Sequence, residues 1–295
     1  MIDRRTTMAA LAGTLIVPAQ LTRASTSTSA PLTAREIFAG IKAASGQPWD
    51  PNPTDDRLIH GRRDAIVTGI ATCFTASIDV LHRARMAGLN YIIPHEASFY
   101  ERYDDFAESA VRDDDPVLLA KKRFLDANGM VIQRMHAHAH SRPGDVIMTG
   151  LIRQLGWEGL RATRPGIPWI DLAPTSAGDL GRYIAQRLGR KTLRMLGDPG
   201  RMIRTVSVSA GMPGENAQIE QLESGADAVL LGEVREPEVL GYAQDMAANR
   251  PVTVYLAGHT AEDPGMGLLA DWLKTVFPAL PVQWLEMADP YTNPG

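Results

Sequence analysis

Hydrophobic positions along this chain fall into short, near-continuous runs separated by stretches with helical spacing. Ala65–Cys73, Asn90–Pro94, Gly129–Met135, Ile203–Ser209, Ala228–Leu231, Val252–Leu256 and Val282–Leu285 are rich in apolar and β-branched residues and too short for helices, so they predict buried strands. Between them, Leu32–Ser45, Thr75–Ala87, Pro116–Asn128, Val146–Leu155, Ser176–Leu188, Asn216–Ser224, Glu236–Asn249 and Pro264–Phe277 predict helices. Thr33 stands where an N-cap belongs, Asp113-Asp114-Asp115-Pro116 offers another cap, and Gly88 and Gly129 mark stops. Residues 47–63, rich in Pro, Asp and Arg, read as loop, and 161–172, with Pro165 and Pro168, as a linker. Strand–helix–strand units in both halves give an α/β class with parallel pairing. The expected architecture is two α/β lobes of alternating strands and helices, 31–160 and 161–295, together forming one domain.

The first thirty residues follow a different pattern. Arg4 and Arg5 precede a mostly apolar run from Met8 to Leu21, which is too short to span a bilayer comfortably. A small, polar stretch to Ala30 follows, as a cleavage region would. The segment resembles a bacterial twin-arginine export signal, which implies a periplasmic or exported protein. The alternative is the frayed first helix of a cytoplasmic protein. Loss of residues 1–30 would remove Arg4, Arg5, Arg23 and Asp3, taking the net charge from −4 to −6. Twin-arginine export carries folded proteins, which suits a metalloprotein loaded before translocation.

Composition narrows the chemistry. With 44% hydrophobic and 22% charged residues, the chain is an ordinary globular sequence of 295 residues. Its acidic balance disfavours a general nucleic-acid binder, and no other segment has the length of a stable membrane anchor. The single cysteine, Cys73, closes no internal disulfide and builds no cysteine-rich zinc site. It lies in an apolar run and reads as core rather than nucleophile. Any metal site must therefore use His and carboxylates.

Three motifs of that kind lie just after predicted strands, where ligands gather in open α/β sheets. They are His95-Glu96, His136-Ala137-His138-Ala139-His140, and Gly258-His259-Thr260-Ala261-Glu262-Asp263. Each has a plainer reading: a solvated strand-end turn, a His-rich edge, and a helix start favoured by a nearby carboxylate. If extended, the second motif would put three imidazoles on one face, where a shared cation is favoured. Mixed His and carboxylate ligation is common in hydrolytic metal sites. Gly211-Met212-Pro213-Gly214 also follows a strand, as an anion-binding loop or simply a tight turn. Glu233, after Gly232, is either a neighbouring carboxylate of the same site or a helix cap.

In order along the chain, His95-Glu96-Ala97-Ser98-Phe99, His136 to Gly144, Val206 to Gly211, Gly225-Ala226-Asp227, Gly232-Glu233 and Gly258 to Gly265 resemble the motifs of the Nif-three-like dinuclear metal-centre family. That family is also called the GTP cyclohydrolase I type 2 family. The resemblance covers nearly all of the chain after the leader. It implies a Nif-three-like fold, a ring-shaped homohexamer and two divalent metal ions per subunit, of zinc, iron or manganese. Carried over position by position, it implies His95, Glu96, His140, His259 and Glu262 as ligands, with His136 beside the metals as proton donor or acceptor. Glu96 stands where the family has a second His, and His140 where it has an Asp. The His259–Glu262 spacing is one residue shorter than usual, and Asp263, which restores it, is the rival ligand. Whether His138 also binds is left open.

These features imply a metal-dependent hydrolase acting on a small molecule through activated water, with His136 and Glu233 moving protons. An exported protein would meet little GTP, which disfavours that substrate. The rivals are a non-enzymatic metal-binding hexameric ring (a store, chaperone or scaffold) and a two-metal phosphoesterase.

Overall fold

The computed structural model describes residues 30–49, 55–100, 110–141, 144–160, 168–292 and 294. The export-signal reading, and parts of the loops expected over 47–63 and 161–172, lie outside them. No described helix is long and apolar enough to cross a membrane.

The described residues build two five-stranded sheets. Helix α1, Ala34–Ala44, opens with the expected cap: Thr33 and Glu36 form a reciprocal capping box. The first sheet takes β1 (Leu58–His60), β2 (Ile70–Cys73), β3 (Tyr91–Pro94) and β4 (Val131–Gln133), with α2 (Ile78–Met86) and α3 (Pro116–Ala127) as crossovers. Strands β2, β3 and β4 run parallel, and β1 pairs antiparallel with β4 at one edge. Then come two short elements, α4 (Ala137–Ser141) and α5 (Val146–Gln154).

The second sheet contains β5 (Trp169–Ser176), β6 (Arg194–Leu196), β7 (Met202–Val208), β8 (Ala228–Leu231) and β9 (Thr253–Leu256), in the order β5-β7-β8-β9-β6. Its inner strands β7, β8 and β9 are parallel, while β5 and β6 are antiparallel edges. Helices α6 (Ala177–Arg187), α7 (Glu215–Glu223) and α8 (Gly241–Met246) connect them. Helix α9 (Asp263–Val276) and β10 (Val282–Trp284) then return to the first sheet, where β10 pairs parallel with β2. The last helix and strand of the stretch 161–295 thus complete the first lobe rather than the second.

Strands β2, β3, β8 and β9 are buried at every position. Helices cover parallel sheets on both faces, which is why these strands read as unbroken apolar runs. Strands β1 and β6 are short, partly exposed edges with no such run and were not expected. Strand β5 replaces part of the expected linker. It carries Pro174, and its register shifts between Asp171 and Thr175, a device that edge strands tolerate. The helix expected over 236–249 opens with a wide π-type turn at 236–240 before α8.

One close contact fixes the geometry between the halves of the site. Helices α5 and α9 cross at Gly150 and Gly265, where a Cβ on Gly150 would lie 2.4 Å from the Gly265 backbone nitrogen. Only glycine permits that approach. The start of α9 is thereby held against the segment that carries α4.

Candidate metal centre

The carboxyl ends of the parallel strands of both sheets open onto one pocket. His95 and Glu96 leave β3, His136 leaves β4, Gly211 follows β7, Gly232 and Glu233 leave β8, and His259 follows β9. His95 is fully buried, Glu262 is nearly so, and Glu96, His136 and His259 line the partly open side.

Residues 136–140 do not take the extended form in which all three imidazoles would share a face. The backbone turns helical at Ala137, so His136 and His140, four residues apart, share one face. Their rings lie 5.1 Å apart by centroid, and each packs on His95, at 4.5 and 5.1 Å. His138 points elsewhere: its Nδ1 bonds Asp56, its Nε2 lies 3.2 Å from the Pro48 carbonyl, and its ring stacks on Trp49. Both its ring nitrogens are taken.

Two groups of donor atoms result. One nitrogen each from His95, His136 and His140 lie within 4.8 Å of one another, as do donor atoms of His95, Glu96 and Glu262. His259 joins the second group, with Nε2 3.4 Å from both Glu96 Oε1 and Glu262 Oε2. Glu96 Oε1 also lies 3.4 Å from His136 Nε2, so a single carboxylate oxygen stands between the two groups. The other oxygen of Glu96 is held by buried Arg134, at 3.2 Å. The same guanidinium donates to the His95 carbonyl and reaches Asp55.

The second nitrogens of three of these imidazoles are also accounted for. His95 Nδ1 faces the Met135 carbonyl at 3.3 Å. His259 Nδ1 faces Glu233 Oε2 at 2.9 Å. His140 Nδ1 faces Asp145 Oδ2 at 3.4 Å. Asp145 sits at φ +41° and caps α5 with its other oxygen, so one residue serves both the helix and the imidazole. Such outer partners fix the tautomer and aim Nε2 at an ion. Glu233 is therefore placed behind His259 rather than as a group facing the pocket alone. Asp263, the rival to Glu262, is turned away: its oxygens accept from Trp284 Nε1 and the Met287 amide, tying α9 to the C-terminal strand. Burial raises its carboxyl to about 6.

The electrostatics of the pocket fit a cation. Burial pushes His95 down, so its imidazole is neutral with one proton to give. With that proton on Nδ1, which donates to the Met135 carbonyl, Nε2 presents a lone pair 3.2 Å from Glu262 Oε2. Both atoms are buried without a hydrogen-bond partner. Burial opposes the charged form of Glu262, yet the His259 imidazole beside it outweighs burial and holds the carboxyl at about 2. Burial likewise opposes protonation of His259, but Glu262 and Glu96 outweigh it and raise His259 to about 11. The pocket thus has negative charge to spare and two orphaned acceptors aimed at one point, which a divalent ion satisfies.

Sequence reasoning did not find Asp55, Asp56, Arg134 or Asp145. Asp55, Asp56 and Arg134 make their contacts across some 40 to 80 residues of chain, which no local pattern signals, whereas Asp145 lies only five residues from His140 and sits where a helix cap belongs. Gly211 is closer to the chemistry than its motif suggested. At φ +57°, a Cβ there would lie 2.1 Å from Glu262 Oε1 and 3.1 Å from His259 Nε2.

The sequence model of the DUF34/NIF3 family (NGG1p interacting factor 3) matches residues 47–290. Among solved structures, a Bacillus cereus protein related to NIF3 superposes with a TM-score of 0.70 at 13% identity, covering 90% of this chain and 100% of that one. A hypothetical protein of Staphylococcus aureus gives 0.68 at 16% identity over 89% of this chain and 99% of that one. The protein ybgI, described as of unknown function, gives 0.67 at 24% identity over 88% and 100%. At these identities the likeness establishes the fold. A search of curated sequences finds no match.

Proposed function

The chain belongs to the DUF34/NIF3 family, and from that premise we propose that its buried His/Glu pocket holds two divalent metal ions and hydrolyses a small-molecule substrate. The observation that carries the proposal is the pair of orphaned acceptors, His95 Nε2 and Glu262 Oε2, 3.2 Å apart beneath the second ring of donors. His95, His136 and His140 would form one donor group and His95, Glu96 and Glu262 the other, joined by His259, with Glu96 Oε1 3.4 Å from both His136 Nε2 and His259 Nε2. This makes His136 a ligand as well placed as His140, rather than only a proton carrier.

When bound, such ions supply Lewis-acid activation of water and neutralise charge on the group attacked. The residues of the chain do the rest. Arg134 holds Glu96 so that one oxygen faces the pocket. Glu233 holds His259 through Nδ1 and, being half-exposed at the rim, takes up the proton released from water. His95 and Glu262, buried at the base, keep that side of the pocket dry.

The proposal extends to a homohexameric ring and to export through the N-terminal signal, both resting on resemblance. Sedimentation or light scattering checks the first, and the location of a tagged full-length chain the second. The test of function is turnover of the metal-loaded protein on esters, lactams, nucleotides and an aryl phosphate. His140→Ala should abolish turnover and leave assembly unchanged. Stoichiometric metal release with no turnover on any class would favour a store or scaffold, and activity confined to the aryl phosphate a phosphoesterase.

A further inference from the structure

The short helix α4 decides which histidines face the pocket, and something must hold it. A five-residue helix is far below the length that is stable alone. Its sequence alternates His and Ala, which an extended strand would also accommodate. As a strand it would present 136, 138 and 140 together; as a helix it presents 136 and 140 and turns 138 away.

The helical choice is anchored from outside. Asp56, 1% exposed, accepts hydrogen bonds from the backbone amides of His136 and His138 and from the Nδ1 of His138. These are amides at the start of the helix, which have no partner within it. His138 is then locked between Asp56, the Pro48 carbonyl and the Trp49 ring. One carboxylate, some eighty residues away in sequence, thus satisfies the turn and removes the middle imidazole from the pocket.

We propose that Asp56 is a positioning residue of the metal centre, which fixes the α4 turn so that His136 and His140 face His95 while His138 is excluded. The inference rests on reading the pocket as a metal centre. It does not require that the centre be catalytic.

The test uses cobalt as a visible probe on the full chain. Co²⁺ is titrated into the metal-free wild type and into Asp56→Asn, Asp56→Ala and His138→Gln, following the visible d–d bands and competing with a chelator. Melting of each metal-free protein is recorded alongside. Asp56→Ala should bind Co²⁺ about 10- to 100-fold more weakly, the usual effect of losing an outer partner of a ligand. At saturation its bands should differ from those of wild type, because an imidazole has moved. Asp56→Asn, which keeps one acceptor oxygen, should lie between. His138→Gln keeps both backbone bonds to Asp56 and should bind within about threefold of wild type, with unchanged bands.

Wild-type affinity and bands in Asp56→Ala would overturn the inference. So would variants that lose stability yet show wild-type bands at saturation, or an Asp56→Asn chain that does not fold, since each assigns Asp56 to the fold alone. A wild type that binds no Co²⁺ would instead refute the metal-centre reading itself.

Discussion

Gly211→Ala tests the pocket from its most confined wall. Two costs are separable. The first is backbone: φ at Gly211 is +57°, where a residue with a Cβ loses roughly 1–2 kcal/mol. Gly129 has nearly the same angle, +58°, and a Cβ there would meet nothing within 4 Å. Gly129→Ala therefore measures the backbone cost alone. The second cost is specific to the pocket. The new Cβ would sit 2.1 Å from Glu262 Oε1, against a shortest tolerable contact of about 3.0 Å, so the carboxylate must retreat by about 0.9 Å. Metal–ligand distances tolerate about ±0.2 Å. The side chain has little room to yield, because Glu262 is nearly buried between His95 and His259. Zn²⁺ affinity should fall by about 10- to 100-fold, or about 1.4–2.8 kcal/mol. The assay is competition with a chromogenic chelator, beside denaturant unfolding in excess EDTA. Both variants should lose similar backbone stability, but only Gly211→Ala should lose metal. Equal Zn²⁺ affinity in the two variants would refute the placement of Glu262 as a ligand.

Further outcomes follow from the same geometry. Metal affinity should rise with pH across the neutral range: His259, held at about 11 by its carboxylate neighbours, carries a proton in the metal-free protein and must release it on binding. Titration calorimetry in buffers of different ionisation enthalpy reads this as proton release, and its absence at pH 7 would contradict the environment assigned to His259. Gly150→Ala should destabilise the chain by about 1–3 kcal/mol or more, because its Cβ meets the Gly265 backbone rather than a movable side chain; an unchanged unfolding midpoint would show that the helices do not cross so closely. Cys73, fully buried and with its thiol pushed up by burial, should resist thiol reagents in the native state and react on unfolding. Rapid native labelling would disprove its core position.

Legibility followed the physics of each element. Strands β2, β3, β8 and β9 are buried on both faces, so their apolar runs identified them, with bounds within one residue for β3, β8 and β9 but a start five residues too early for β2, expected from Ala65 and found from Ile70. Thr33 and Ser176 cap their helices as local hydrogen bonding dictates. The return of β10 to the first sheet was invisible, since nothing in Val282–Trp284 encodes which neighbour it will pair with. The pocket was legible as a set of motifs because His95, His136 and His259 follow strands whose carboxyl ends converge. What sequence could not provide was orientation. The spacing of 136–140 suits a strand face, and the helical turn found instead is bound by Asp56, distant in sequence. Asp263 restores the family spacing on paper, yet the Trp284 indole and Met287 amide claim it and leave Glu262 in the pocket.

The central claim is that residues from both sheets share one metal centre. Crystals of the protein grown with Zn²⁺ and measured at the zinc absorption edge test it directly. Anomalous peaks are expected at coordinating distance from the Nε2 atoms of His95, His136, His140 and His259 and from the carboxylates of Glu96 and Glu262. A zinc-saturated crystal with no peak in this pocket, or with peaks only at surface carboxylates, would contradict it.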